Sequence, residues 1–171
     1  DLPGESVGLL PNYGRWSELQ FATIAFGQGL ATTPLQMAMA FAAIANGGTL
    51  YKPYIVKRVV KHDGSEIFSA EPKVISRPIG EKAARSMAKL LEGVTKAGGT
   101  GTMAASKEYS VAGKTGTAQK VEAGAKKYVV GKYYASFVGF APSDNPRIAV
   151  YVGLDEPRGS MYYGGQVAAP V

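Results

Sequence analysis

Tyr109-Ser110-Val111-Ala112-Gly113-Lys114-Thr115-Gly116-Thr117-Ala118-Gln119 decides how the 171-residue chain is read. The stretch begins as a β-strand and then offers a cation, two hydroxyls and two glycines within five residues. Glycine weakens a strand interior; where it persists there, another backbone or a ligand comes close. At period two, Lys114 points to one face and Thr115 and Thr117 to the other. On an edge strand the unpaired N–H and C=O groups can receive an extended peptide as an added strand. The ammonium and hydroxyls would then grip an anionic end of that peptide, a carboxylate by preference.

In isolation Gly-Lys-Thr reads in three ways: a nucleotide-binding loop, a strand with an ordinary bend, or the anion-gripping strand above. The nucleotide loop needs a glycine five residues before Gly113, where Glu108 stands, and a helix opening at the lysine. Gly116 follows at once and starts a helix poorly.

Outward from this stretch, Tyr133–Phe140 and Arg147–Leu154 read as two further strands joined by the turn Ala141-Pro142-Ser143-Asp144-Asn145-Pro146. The three predict an antiparallel meander. Its strands are apolar enough to call for helices on one or both faces. Residues 120–132 read as a Lys-rich loop. Thr32-Thr33-Pro34 is a helix start, and Leu35–Ala45 is apolar on nearly every side, which places that helix centrally. Residues 81–96 predict an amphipathic helix with Ala84, Met87, Ala88, Leu91 and Val94 as its apolar stripe. Gly98-Gly99-Thr100-Gly101-Thr102 lacks phosphate-loop spacing and reads as a connection. Residues 50–61 predict one strand, and His62-Asp63-Gly64-Ser65 turns it into a second strand at Glu66–Phe68. Residues 72–80 read as extended and residues 1–20 as irregular chain; Gly27-Gln28-Gly29 reads as a turn before a helix. Tyr162 onward predicts a further helix. The fold class is α+β, an antiparallel sheet with helices packed on it.

Net charge is +6, thinly spread, with no dense basic run, so nucleic acid is not the expected partner. A mildly basic surface suits an anionic cell envelope. Cysteine is absent and the single histidine, His62, sits in a turn, so neither a thiolate metal site nor a Ser-His-Asp triad has material here. No cofactor or metal is expected.

Several blocks together carry a resemblance. Lys114-Thr115-Gly116-Thr117-Ala118-Gln119 is followed by Tyr134-Ala135-Ser136-Phe137-Val138-Gly139-Phe140-Ala141-Pro142. Before them come Gly27-Gln28-Gly29-Leu30-Ala31-Thr32-Thr33-Pro34-Leu35-Gln36-Met37-Ala38 and Ala45-Asn46-Gly47-Gly48; Tyr163-Gly164-Gly165-Gln166-Val167-Ala168-Ala169-Pro170-Val171 comes after. In this order they resemble the transpeptidase domain of class B penicillin-binding proteins, the septal cell-division type most and the elongation type nearly as much. The resemblance implies a partial serine β-lactamase/transpeptidase-like fold and a D,D-transpeptidase that cross-links peptidoglycan. It implies partners in stem peptides ending in D-Ala-D-Ala, β-lactam antibiotics and other division proteins. It further implies an extracytoplasmic location, on the periplasmic face of a membrane, with an N-terminal anchoring helix that residues 1–171 do not include. By the same resemblance Lys114 sets the proton and charge network around a nucleophile. Thr115 and Thr117 hydroxyls hold the substrate carboxylate, Gly116 lets the ligand approach, and Tyr162 and Tyr163 belong to an aromatic wall. The Thr117 backbone N–H supplies one oxyanion donor, typically worth ~3–4 kcal/mol. A β-lactamase or carboxypeptidase, or a non-catalytic penicillin sensor, would share the strand.

The family also needs S-x-x-K and then S-x-N before K-T-G. Ser86-Met87-Ala88-Lys89 matches the first but falls on the polar side of its helix. Ser143-Asp144-Asn145 matches the second but follows K-T-G inside a turn. Both read as coincidences. The chain is therefore expected to be the C-terminal part of a transpeptidase domain, residues 1–171, without its nucleophile and inactive alone.

Overall fold

The computed structural model describes residues 2–25, 27–121 and 128–171. Its centre is a three-stranded antiparallel sheet of β5 (Ala112–Val121), β6 (Tyr128–Ala141) and β7 (Ile148–Asp155), in that spatial order. Gly113 lies opposite Gly139 and Thr117 opposite Ala135 in β5–β6; Val138 lies opposite Tyr151 in β6–β7. The meander is therefore as the sequence predicts, with β5 outermost. It begins at Ala112, so Tyr109–Val111 lead into the strand without belonging to it. The expected loop over 120–132 is corrected at both described ends: Lys120 and Val121 close β5, and Tyr128–Lys132 belong to β6. The rest of that expectation, at 122–127, lies outside the described residues, as does Phe26.

Helices cover both faces. α2 (Pro34–Ala45) and α3 (Glu81–Thr95) lie on the face that carries Ala112, Val138 and Phe140. Phe41 and Leu91 complete this cluster, with Met37, Ile44 and Ala88 packed around it. Phe140 is 2 % exposed, and burying such a ring contributes about 1.5–3 kcal/mol. The opposite face gathers Phe137, Ala168 and Ala169 with Val111, Val152 and Leu154 under α4 (Gly164–Val167), a four-residue helix.

Local chemistry explains the helix ends. Thr33 caps α2 by accepting from the Gln36 N–H, while the Gln36 side chain accepts from the Thr33 N–H; Pro34 occupies the first turn. The central burial expected of α2 holds only in part. Phe41 and Ala43 are buried, most other positions are half-buried and Ala40 is exposed. On α3, Ala84 and Leu91 are buried but Met87 is 43 % exposed, so the stripe is narrower than its periodicity suggests. Thr95 is buried at the end of α3 and donates to the Val111 carbonyl at 2.7 Å, which fixes the helix to the entrance of β5.

Two expectations fail. Residues 1–20 are not irregular throughout: Ser17 accepts from the Gln20 N–H and opens α1 (Glu18–Ile24). The missed signal was the Ser-x-x-Gln spacing. Nor is 50–61 one strand. Leu50–Tyr51 forms β1 and pairs with β4 (Val74–Ser76), then the chain breaks near Pro53 and resumes as β2 (Arg58–Val60). Proline lacks the N–H that a strand ladder requires. The hairpin of β2 with β3 (Glu66–Ser69) does form; Asp63 accepts from the Ser65 N–H in the turn, and Gly64 takes a φ of 83°.

Candidate functional site

Lys114, Thr115, Gly116 and Thr117 occupy the middle of β5, whose outer edge pairs with no strand among the described residues. Every second residue of such a strand turns its N–H and C=O away from the ladder. Lys114 is exposed on the α2–α3 face, and its ammonium donates to the Thr115 carbonyl at 2.9 Å. Thr115 and Thr117 are half-buried on the α4 face.

The two hydroxyls are held from that side. Thr117 Oγ1 accepts from the Gly164 N–H at 2.9 Å, which leaves its own proton to donate outward. Thr115 Oγ1 lies 2.8 Å from Thr100 Oγ1, and either can donate. Thr100 belongs to the Gly/Thr connection after α3, and nothing in the spacing of that connection pointed to β5. Gly116 is required by packing. A Cβ there would stand 2.5 Å from Ser136 Oγ on the neighbouring strand.

Tyr133, opposite Gln119 on β6, stacks on Tyr162 with centroids 4.2 Å apart and planes at 15°. Tyr162 stacks in turn on Tyr163 at 4.4 Å and donates to its hydroxyl at 3.2 Å. That hydrogen bond to Tyr163 is the main reason the Tyr162 phenol is pushed up to about 12. Tyr133 is in register two residues along β5 from Thr117, and the Gly164 N–H, next to Tyr163, ties that end of the stack to the Thr117 hydroxyl. Tyr133 was missed because it runs directly into the apolar segment of β6 that carries the buried Ala135, Phe137, Val138 and Phe140. Behind Lys114, on the same face, Tyr151 is half-buried; burial and a hydrogen bond to Tyr134 push its phenol well above the usual range. At the far end of the sheet Lys120 bridges Asp155 and Glu156, each at 2.8 Å.

The two coincidental motifs lie elsewhere. Ser86 is exposed on α3 among Lys82, Arg85 and Lys89, in a shallow recess drawn from one helix, with Arg85 paired to Glu81. Ser143 is 6 % exposed and donates to Glu92 at 2.6 Å. Its N–H bonds the Ser110 carbonyl, and Ser110 is four residues, ~13 Å, from Lys114 along the strand direction. Lys96 and Ser143 together hold the Glu92 carboxyl below its usual value. Gly113-Lys114-Thr115 opens no helix, so the nucleotide-loop reading has no anion-binding terminus behind it. Among the described residues no acidic or histidine cluster fits a metal, and no helix is long and apolar enough to cross a membrane.

Comparison with known proteins follows the same lines. The family model of the penicillin binding protein transpeptidase domain matches residues 1–171. Stage V sporulation protein D of Bacillus subtilis is 42% identical over 172 residues, covering 100% of this chain and 26% of that protein. Peptidoglycan D,D-transpeptidase FtsI of Escherichia coli is 40% identical over 171 residues, covering 99% of this chain and 27% of that protein. Penicillin-binding protein 3 of Mycobacterium tuberculosis, solved with aztreonam, superposes with a TM-score of 0.83 at 36% identity, over 98% of this chain and 39% of that one. The chain thus spans about a quarter of the length of the curated relatives it matches.

Proposed function

The chain belongs to the penicillin-binding protein transpeptidase family, and we propose that residues 1–171 form the carboxylate-gripping half of a peptidoglycan D,D-transpeptidase site. The observation that carries this is the outer edge of β5, which pairs with no strand among the described residues and lies beside a cation and two anchored hydroxyls. A donor stem peptide ending in D-Ala-D-Ala docks along that edge as an added strand. Its terminal carboxylate takes protons from Thr115 and Thr117, and Lys114 supplies positive charge nearby. A serine hydroxyl attacks the penultimate carbonyl carbon and gives up its proton to a neighbouring base. The oxyanion is met by the Thr117 N–H, the tetrahedral intermediate expels protonated D-alanine, and an acyl-serine remains. An amine of a second stem peptide then attacks the ester and restores the serine. A β-lactam carries a carboxylate beside its strained amide and acylates the same serine.

The exposed position of Ser86 and the burial of Ser143 against Glu92 support a nucleophile lying outside residues 1–171. Tyr133, Tyr162 and Tyr163 border the bound ligand. The reaction belongs outside the cytoplasm, where peptidoglycan is cross-linked, and division proteins are the assembly expected around a septal enzyme.

Labelling with a fluorescent penicillin, followed by denaturing electrophoresis, tests the reading. In the complete enzyme Thr117→Val lowers the acylation rate by about 10–100-fold, the order of one lost hydrogen bond to a charged group. Unchanged acylation in that variant refutes the carboxylate role. On residues 1–171 alone no band is expected; a band that disappears in Ser86→Ala would place the nucleophile on α3.

A further inference from the structure

The β2–β3 hairpin takes no part in the site above. Among the described residues its strands pair only with each other, and every residue of both is exposed. Two strands without a third, and without a helix behind them, are marginal in water. Yet Val59 and Phe68, directly opposite each other, remain 39% and 46% exposed. Lys57 and Lys61 flank β2, each two residues from Val59 and so ~6–7 Å away along the strand; alternation puts them on the side of Val59, with a register shift between Val59 and Val60 on the Lys61 side. That face is an aromatic ring and an aliphatic side chain flanked by two ammonium groups. Neither lysine forms an ion pair among the described residues. Arg58 adds a third cation on the other face. Residues 52–77 carry six Lys or Arg against three Asp or Glu, half of the chain's net +6. Tyr54, at 46% exposure, adds a second ring on the approach to the hairpin.

We propose that this face docks a glycan strand of the cell wall, the polymer to which the stem peptides are attached; the inference rests on the transpeptidase reading. A sugar ring offers an apolar C–H face that fits against Phe68 and Val59. The carboxylates of the attached peptides complement Lys57 and Lys61, which a neutral polysaccharide does not. The polymer is thereby held at a second place, which raises the effective concentration of its peptides at β5.

The test uses the complete enzyme and purified, uncross-linked glycan strands that retain their stem peptides. Co-sedimentation is measured for the wild type, for Lys57→Glu with Lys61→Glu, and for Phe68→Ala. Each variant is expected to bind strands about tenfold more weakly, as for loss of a charged contact or a buried aromatic anchor, and wild-type binding is expected to fall with salt. Fluorescent penicillin acylation stays unchanged in all three. Equal binding by wild type and variants overturns the proposal. So does wild-type binding to vesicles of anionic phospholipid as tight as to strands, or binding that stripping the peptides from the glycan leaves intact. Failure of the wild type to acylate would instead break the transpeptidase reading, so the two failures are told apart.

Discussion

The β5–β7 sheet and the β2–β3 hairpin are both antiparallel, both rich in valine and aromatic residues, and differ in what lies behind them. The sheet has helices on each face and buries Ala112, Ala135, Phe137, Val138 and Phe140. The hairpin buries none of its strand residues. Strand chemistry alone therefore does not say whether an apolar side chain is core. Occupancy of both faces does, and that occupancy comes from helices distant in sequence. The same contrast separates the two proposed roles. The rigid sheet can hold hydroxyls to within hydrogen-bond tolerance at Thr115 and Thr117, while the hairpin offers charge and apolar surface without a fixed pocket.

The sharpest break of this comparison is between two phenylalanines. Phe140→Ala is expected to cost about 3–5 kcal/mol in denaturant unfolding, and Phe68→Ala less than about 1 kcal/mol. Equal losses would mean the hairpin is packed after all. Next in size, Thr95→Val removes the bond from α3 to the Val111 carbonyl and leaves that acceptor unmet, at about 1–3 kcal/mol by the same measurement. A destabilisation within 0.3 kcal/mol, the usual scatter of additive effects, would show that α3 does not anchor β5 there.

Smaller still is Ser143→Ala, expected at about 1 kcal/mol near neutral pH. It carries a pH signature. The Glu92 carboxyl is held below its ordinary 4.5 by Lys96 and Ser143, so its stabilisation is complete above that value. It is lost as pH falls through the lower folded value. Ser143→Ala should flatten the stability curve in that acid window, and an unaltered curve would assign the slope to other groups. Least of all, Lys57→Ala should move the melting transition by less than the equivalent of about 0.5 kcal/mol, since an exposed, unpaired charge contributes little to folding. A larger loss would mean that Lys57 has a partner in the folded chain.

Much of this was legible beforehand. The Thr33-Pro34 cap, the Asp63-Gly64 turn and the Pro142–Pro146 turn are decided by neighbours within a few residues, and the structure keeps them. α1 was legible in principle from Ser17 and Gln20, but a seven-residue helix has too short a period to stand out among prolines and glycines. The strand expected over 50–61 failed at Pro53, where local apolar content outweighed a missing donor. Met87 and Ala40 show the limit of periodicity: it names a candidate face and not what covers it.

The amino-acid order by itself settled the family, through blocks whose joint occurrence is specific, and with it the strand, the turn and the polar character of the helix face around Ser86. Only the folded chain decided that Thr100 reaches Thr115, that Gly164 occupies Thr117, that Tyr133 joins Tyr162, and that the outer edge of β5 pairs with no strand among the described residues. Those contacts join residues between 15 and 47 positions apart, too far for local periodicity to register, and they exist because hydrophobic burial brings α3, α4 and β6 onto one sheet.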